Sequence, residues 1–141
     1  MKNLFLLFIA TFILHVSCAN VYSSEFKDDE YLATEAAYNF LDLLDTGEIE
    51  KGFDSTSTIH KRTQEKGWWI NQIAVKREYY GSPVDRSIKY VIKNNSIQHH
   101  PDGKYISIHF ETFFENKEKA FELVEVLFNG EEWIVTRYFC N

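Results

Sequence analysis

From Lys104 to Phe114 the chain reads KYISIHFETFF, and apolar and polar side chains alternate along most of it. A period of two puts Ile106, Ile108, Phe110, Thr112 and Phe114 on one face of an extended segment, and Ser107, His109 and Glu111 on the other. Such a run is longer than the usual strand of roughly five or six residues. A strand of that length tends to curve, often through a bulge, and a curved sheet can cup a helix. Its polar face reads as a wetted sheet face rather than a site. Neighbours on one strand face lie roughly 6 to 7 Å apart, too far for a direct hydrogen bond between nucleophile and base.

Other extended runs lie around it. RSIKYVIK places Ile88, Tyr90 and Ile92 on one face, and a loop over residues 94–103 ends in the turn Pro101-Asp102-Gly103. A turn over residues 115–119 leads into AFELVEVLF. Asn129-Gly130 then separates that run from EEWIVTRYFC, a strong hairpin signal because both residues tolerate positive φ.

Upstream the period changes to that of a helix. Leu32, Ala36, Phe40 and Leu44, with Ala33, Ala37 and Leu41 beside them, form one broad apolar stripe. Asp28, Asp29 and Glu30 suit the positive end of its dipole, and Gly47 is a stop. A short helix is expected around Ile49 and Phe53. The run Ser55 to Thr58 can cap a third helix over residues 59–79, which Gly67 weakens and Gly81-Ser82-Pro83 ends. Helices first and strands after imply an α+β fold, with N-terminal helices packed on a curved four-stranded antiparallel meander. With 141 residues, 45% of them hydrophobic and 16% aromatic, the chain has the material for one real core.

The first residues have the layout of an export signal. Lys2 precedes an apolar run from Leu4 to Val16, and small residues follow at Ser17, Cys18 and Ala19. The run is shorter than the roughly 20 residues of a comfortable membrane span. The expected organisation is a signal peptide over residues 1–23, a linker over 24–28 and one α+β domain over 29–141. Cleavage after Ala19 or after Ser23 fits. Lipidation of Cys18 in LHVSC is the alternative, although His15 stands where a lipobox has leucine. The expected location is secreted or periplasmic, with no stable membrane span after signal removal. If Cys18 is lost with the signal, Cys140 is the one thiol left.

The formal net charge is −6. No basic patch with interleaved aromatics offers a surface for phosphates, which disfavours nucleic acid.

Several spaced motifs now agree in order. They are AAYNFLDLLDTGEIEKGFDSTS, WWINQIAVKREYYGSPVDR, PDGKYISIHFETFFENK and GEEWIVTRYF. Together, over residues 35–139, they resemble a bacterial secreted family known as domain of unknown function 4019. That family in turn resembles the cone-shaped fold of nuclear transport factor two and the cystatin-like superfamily, which implies a bent antiparallel sheet around a long helix, often with a pocket between them. His99-His100 and Arg137 depart from the family's usual pattern. The resemblance supplies no catalytic residues.

Candidate ligand-binding residues are Arg77, Arg86 and Arg137, which suit planar anions and equally suit ion pairs with Asp42, Asp45 or Asp85. Tyr138, Trp68 and His109 join them as pocket-lining candidates; Trp69 and Trp133 read as core. His60, His99, His100 and Asp102 lack the convergence of a metal site, so no metal and no cofactor is expected. No catalytic motif is present. The reading is a non-catalytic module that binds a small ligand or an envelope protein. The alternative is an isomerase or hydratase on the same fold, for which Asp42, His109 and Tyr138 are the residues to watch. Phe121, Leu123 and Leu127 on an open sheet face would allow a homodimer.

Overall fold

In the computed structural model, residues 28–141 are described. The expected signal peptide, with Cys18, and all of the expected linker but Asp28 fall outside them; Asp28 is already helical. By internal contacts Leu32–Asn141 forms one unit, and apart from the first residues of the first helix the features below lie in it.

Helix α1 spans residues 28–45. Its buried line is Ala33, Ala37, Phe40, Leu41 and Leu44. The stripe read from the sequence is wider than the core takes up: Leu32 remains 49% exposed and Ala36 is half-buried. Gly47 ends the helix at φ 81°, a conformation costly for any residue with a Cβ.

Helix α2, Ile49–Asp54, turns Ile49 and Phe53 inward. The polar bridge after it does cap the next helix: Ser57 Oγ accepts the His60 N–H at 3.3 Å. Ser57 also donates its N–H to the Val135 carbonyl at 2.8 Å and its hydroxyl to Thr136 Oγ1 at 3.0 Å. The single helix expected over residues 59–79 is two, α3 at Thr58–Thr63 and α4 at Lys66–Tyr80. The break precedes Gly67, because Glu65 caps a new helix by accepting the N–H groups of Gly67 at 2.9 Å and Trp68 at 2.5 Å. Helix α4 buries Trp69, Ile73 and Tyr80 and stops at Gly81, φ 77°.

Four strands follow, β1 at Pro83–Asn94, β2 at Tyr105–Phe114, β3 at Lys117–Phe128 and β4 at Trp133–Cys140. They pair in sequence order as an antiparallel meander, the expected topology. Ile106, Ile108, Phe110, Thr112 and Phe114 all face the core. Directly across, Phe110 meets Glu122, Ile108 meets Val124 and Ile106 meets Val126.

Three details differ from the sequence reading. Ile88 pairs with Phe110 but Tyr90 with His109, so Lys89 is the extra residue of a bulge. The bulge leaves Ile88 on the core side and moves Tyr90 and Ile92 to the outer face. Ser107 and Glu111 are buried rather than wetted. Ser107 bonds Glu125 at 3.2 Å, and Glu111 lies between Lys89, at 3.0 Å, and Lys119. Finally, β4 starts at Trp133, because Asn129 Oδ1 accepts from the N–H groups of both Glu131 and Glu132 at 2.9 Å and so widens the turn. Only Gly130 of the Asn-Gly pair has positive φ. No helix among the described residues is long and apolar enough to cross a membrane.

Candidate functional site

The densest chemistry lies where α1, α4 and the sheet meet. Four-residue steps along α4 bring Arg77 onto the line of Trp69 and Ile73. Arg86 on β1 stands opposite Thr112, and Glu122 occupies a core-facing position of β3. Asp45 is the last residue of α1. The Glu122 side chain is 0% exposed. Its Oε1 accepts from Arg77 Nη2 at 3.0 Å and from the Tyr138 hydroxyl at 2.6 Å. Its Oε2 accepts from Arg86 Nε at 2.8 Å and from the Thr112 hydroxyl at 2.6 Å. Asp45 bridges the same arginines, at 3.0 Å to Arg77 Nη2 and 2.6 Å to Arg86 Nη1. The Arg77 guanidinium lies over the rings of Phe114 and Tyr138, with centroids at 5.2 and 5.8 Å.

The charges explain one another. Burial alone would push the Glu122 carboxyl up; Arg77 and Arg86, with the Thr112 and Tyr138 hydroxyls, outweigh it and hold the group ionised below its ordinary value. Burial, then the Glu122 charge, drive the Tyr138 phenol well up, so it is a donor and not a base. Burial raises the Cys140 thiol as well, which removes its nucleophilic form at neutral pH. Each Glu122 oxygen already accepts twice, which leaves the carboxylate no free lone pair for a reacting proton. The cluster is a clasp that ties α1 and α4 to all four strands. The cavity beside it, lined in part by Arg77, Gly81 and Glu115, holds about 210 Å³. Ligand sites ordinarily run from about 300 to 1,000 Å³.

Of the residues singled out from sequence, Arg77, Arg86 and Tyr138 come together. Arg137 does not join them: it lies on the outer face and reaches Glu125 at 3.1 Å. His109 is on that face too, stacked on Tyr90 at 4.2 Å, its pKa lowered by partial burial and by Arg137. Trp68 projects from α4, 57% exposed. Asp42 is exposed on α1, so Asp42, His109 and Tyr138 do not share a cavity. Among the described residues no group of His, Cys, Asp and Glu could hold a metal ion. His60 is buried between Phe53 and Trp69. His99 and Asp102 are exposed in the β1–β2 loop.

A larger feature went unread in the sequence. Between α1, the α2–α3 turn and the β3–β4 hairpin runs a groove of about 870 Å³. Leu32, Ala36 and Leu43 form its α1 wall, Phe40, Trp133 and Val135 its floor, and Phe128 its hairpin side. Trp133 is only 7% exposed, and its indole Nε1–H is buried with no acceptor among the described residues. The signal was present as apolar positions in excess of one buried line, but only the exposure of Leu32 and the groove lining show that they remain uncovered.

A family model described as "Protein of unknown function (DUF4019)" matches residues 36–138. The chain belongs to this family. The DUF4019 match takes in every member of the Glu122 clasp and the groove floor, and begins after Leu32 and Glu35 on the groove wall. No curated protein and no solved structure matches the chain.

Proposed function

We propose that this DUF4019 protein is an exported, non-catalytic binding module whose ligand lies in the groove between α1 and the β3–β4 hairpin. The observation that carries the reading is an open, largely apolar groove of ligand-sized volume, about 870 Å³, in a molecule whose most perturbed charged groups satisfy one another. Export rests on the pattern of Lys2, the apolar run and the small residues after it. The likeness to the nuclear transport factor two fold, with its pocket between helix and sheet, points the same way as an analogy of fold.

The test uses Nile red, a neutral apolar dye that brightens when it leaves water. The native protein is expected to bind it, and Ala36→Trp, which fills the groove wall, to abolish the signal while circular dichroism stays unchanged. Undiminished dye binding by a folded Ala36→Trp protein would move the site elsewhere. A second reading has its own observation. Tyr90, Ile92, Phe121 and Phe139 are exposed on the outer sheet face, which suits a protein partner or a second copy. Sedimentation of the native protein against Phe121→Ser/Phe139→Ser separates that reading from the first.

A further inference from the structure

Asn129 is the one asparagine in the sequence that glycine follows. An asparagine amide becomes an acid when the main-chain nitrogen of the next residue attacks its side-chain carbonyl carbon. Glycine in that next place leaves the nitrogen uncrowded, because it has no Cβ. Whether a folded chain permits the attack depends on how the turn holds the two reacting groups.

The β3–β4 turn leaves the nitrogen open and the carbonyl activated. Asn129 and Gly130 are both exposed, and a Cβ built on Gly130 would meet nothing within 4 Å, so water and hydroxide reach it. Among the described residues the turn's backbone hydrogen bonds bypass the Gly130 N–H: Asn129 donates to the Glu132 carbonyl at 3.1 Å, while Glu131 and Glu132 donate to Asn129 Oδ1. Those last two bonds, each 2.9 Å, converge on one side-chain carbonyl oxygen. Two backbone donors there polarise the carbonyl carbon and stand where the oxyanion forms on attack. The carboxylates of Glu131 and Glu132 oppose loss of the Gly130 proton. They are exposed, so that opposition is screened and weak.

We infer that Asn129 is a site of spontaneous covalent modification, the deamidation of its side chain in the folded protein. The Gly130 nitrogen gives its proton to hydroxide and bonds to Asn129 Cγ. The Cγ–Nδ2 bond then breaks, and ammonia leaves with a proton taken from water. Water opens the resulting cyclic imide at either of its carbonyls. One opening gives aspartate at this position; the other gives isoaspartate, with the main chain routed through the side-chain carbon. Water is the only co-reactant, and nothing is oxidised or reduced. Both products add a carboxylate beside Glu131 and Glu132, at the groove that Asn129 helps to line. Isoaspartate also lengthens the connection between Phe128 and Trp133, whose ring centroids lie 5.4 Å apart.

The test ages the folded protein at mildly alkaline pH in water enriched in heavy oxygen, then digests it in ordinary water at acid pH. Mass spectrometry reads the Asn129 peptide, and only conversion that preceded digestion carries the label. Asn129 is expected to convert at least about tenfold faster than Asn95 and Asn116, which are also exposed but precede serine and lysine. The rate is expected to rise with pH, and aspartate and isoaspartate to appear together, with Asn129→Asp marking the first. Gly130→Ala, whose methyl crowds the attacking nitrogen, is expected to slow the conversion by about tenfold. An unlabelled Asn129 in the folded protein, while a synthetic peptide of residues 127–133 converts alongside it, would overturn the inference: the turn would then hold the nitrogen out of reach. Aspartate without isoaspartate, or a Gly130→Ala protein that converts as fast as the native one, would overturn it too, since each means direct hydrolysis without the imide.

Discussion

Glu122 sits in the interior with a full charge, and this is tolerable because four donors reach it. Removing one partner of such a cluster is far costlier than an exposed pair would suggest, because the remaining charges stay buried. Glu122→Gln is therefore expected to lower unfolding free energy by about 3 kcal/mol, read from the urea midpoint at constant slope. A loss under about 1 kcal/mol would mean that Asp45 alone satisfies both arginines. The same carboxyl has its folded pKa below the ordinary value of 4.5. Its contribution is complete above that value and disappears as pH falls through the folded one. His60 acts in a higher window. Burial lowers its pKa from 6.5, against a backbone hydrogen bond with Thr136 and with help from Lys61. The neutral ring is the one that fits between Phe53 and Trp69, so its stabilisation is present above pH 6.5 and lost as pH falls through the lower folded value. Between about pH 7.5 and about pH 5 the native protein is expected to lose stability more steeply than His60→Phe. Parallel curves would contradict that role.

Elements show where sequence patterning reached and where it stopped. The alternation in β2 is clear because Ile106 to Glu111 repeats it without interruption, and all five core-facing positions are buried as read. In β1 the pattern misleads. Ile88, Tyr90 and Ile92 alternate on paper, but a bulge at Lys89 reverses the face after Ile88, and bulges depend on the partner strand more than on local composition. Arg77 and Arg86 were legible as anion-binding side chains. Their partner Glu122 was not, since a glutamate in AFELVEVLF reads as the wet face until pairing with Phe110 shows it turned inward. The α4–β1 corner gives a prediction of its own. Gly81 has φ 77°, and a Cβ there would lie 2.8 Å from Glu115 Oε2. Gly81→Ala is expected to destabilise by about 1–2 kcal/mol through the backbone strain alone. Gly81→Ala/Glu115→Ala should recover only the part of the clash made by the Glu115 carboxylate, since the Cβ of residue 115, at 3.0 Å, stays, as a double-mutant cycle in urea would show.

The unit Leu32–Asn141 combines a clasped side and an open one. The clasp of Arg77, Arg86, Asp45, Glu122 and Tyr138 fixes α1 and α4 against the sheet, and Ser57 ties the α2–α3 turn to β4. Both anchor the walls of a groove that the core does not fill, and a preformed cavity lowers the ordering cost of binding. The most direct measurement is native mass spectrometry of the protein recovered from its own cells, beside Ala36→Trp. The account expects a small-molecule adduct on the native protein that dissociates on activation and is missing from the folded variant. An adduct of the same mass on both, or a clean mass on the native protein together with failure of Nile red to bind it, would contradict the groove as the functional site.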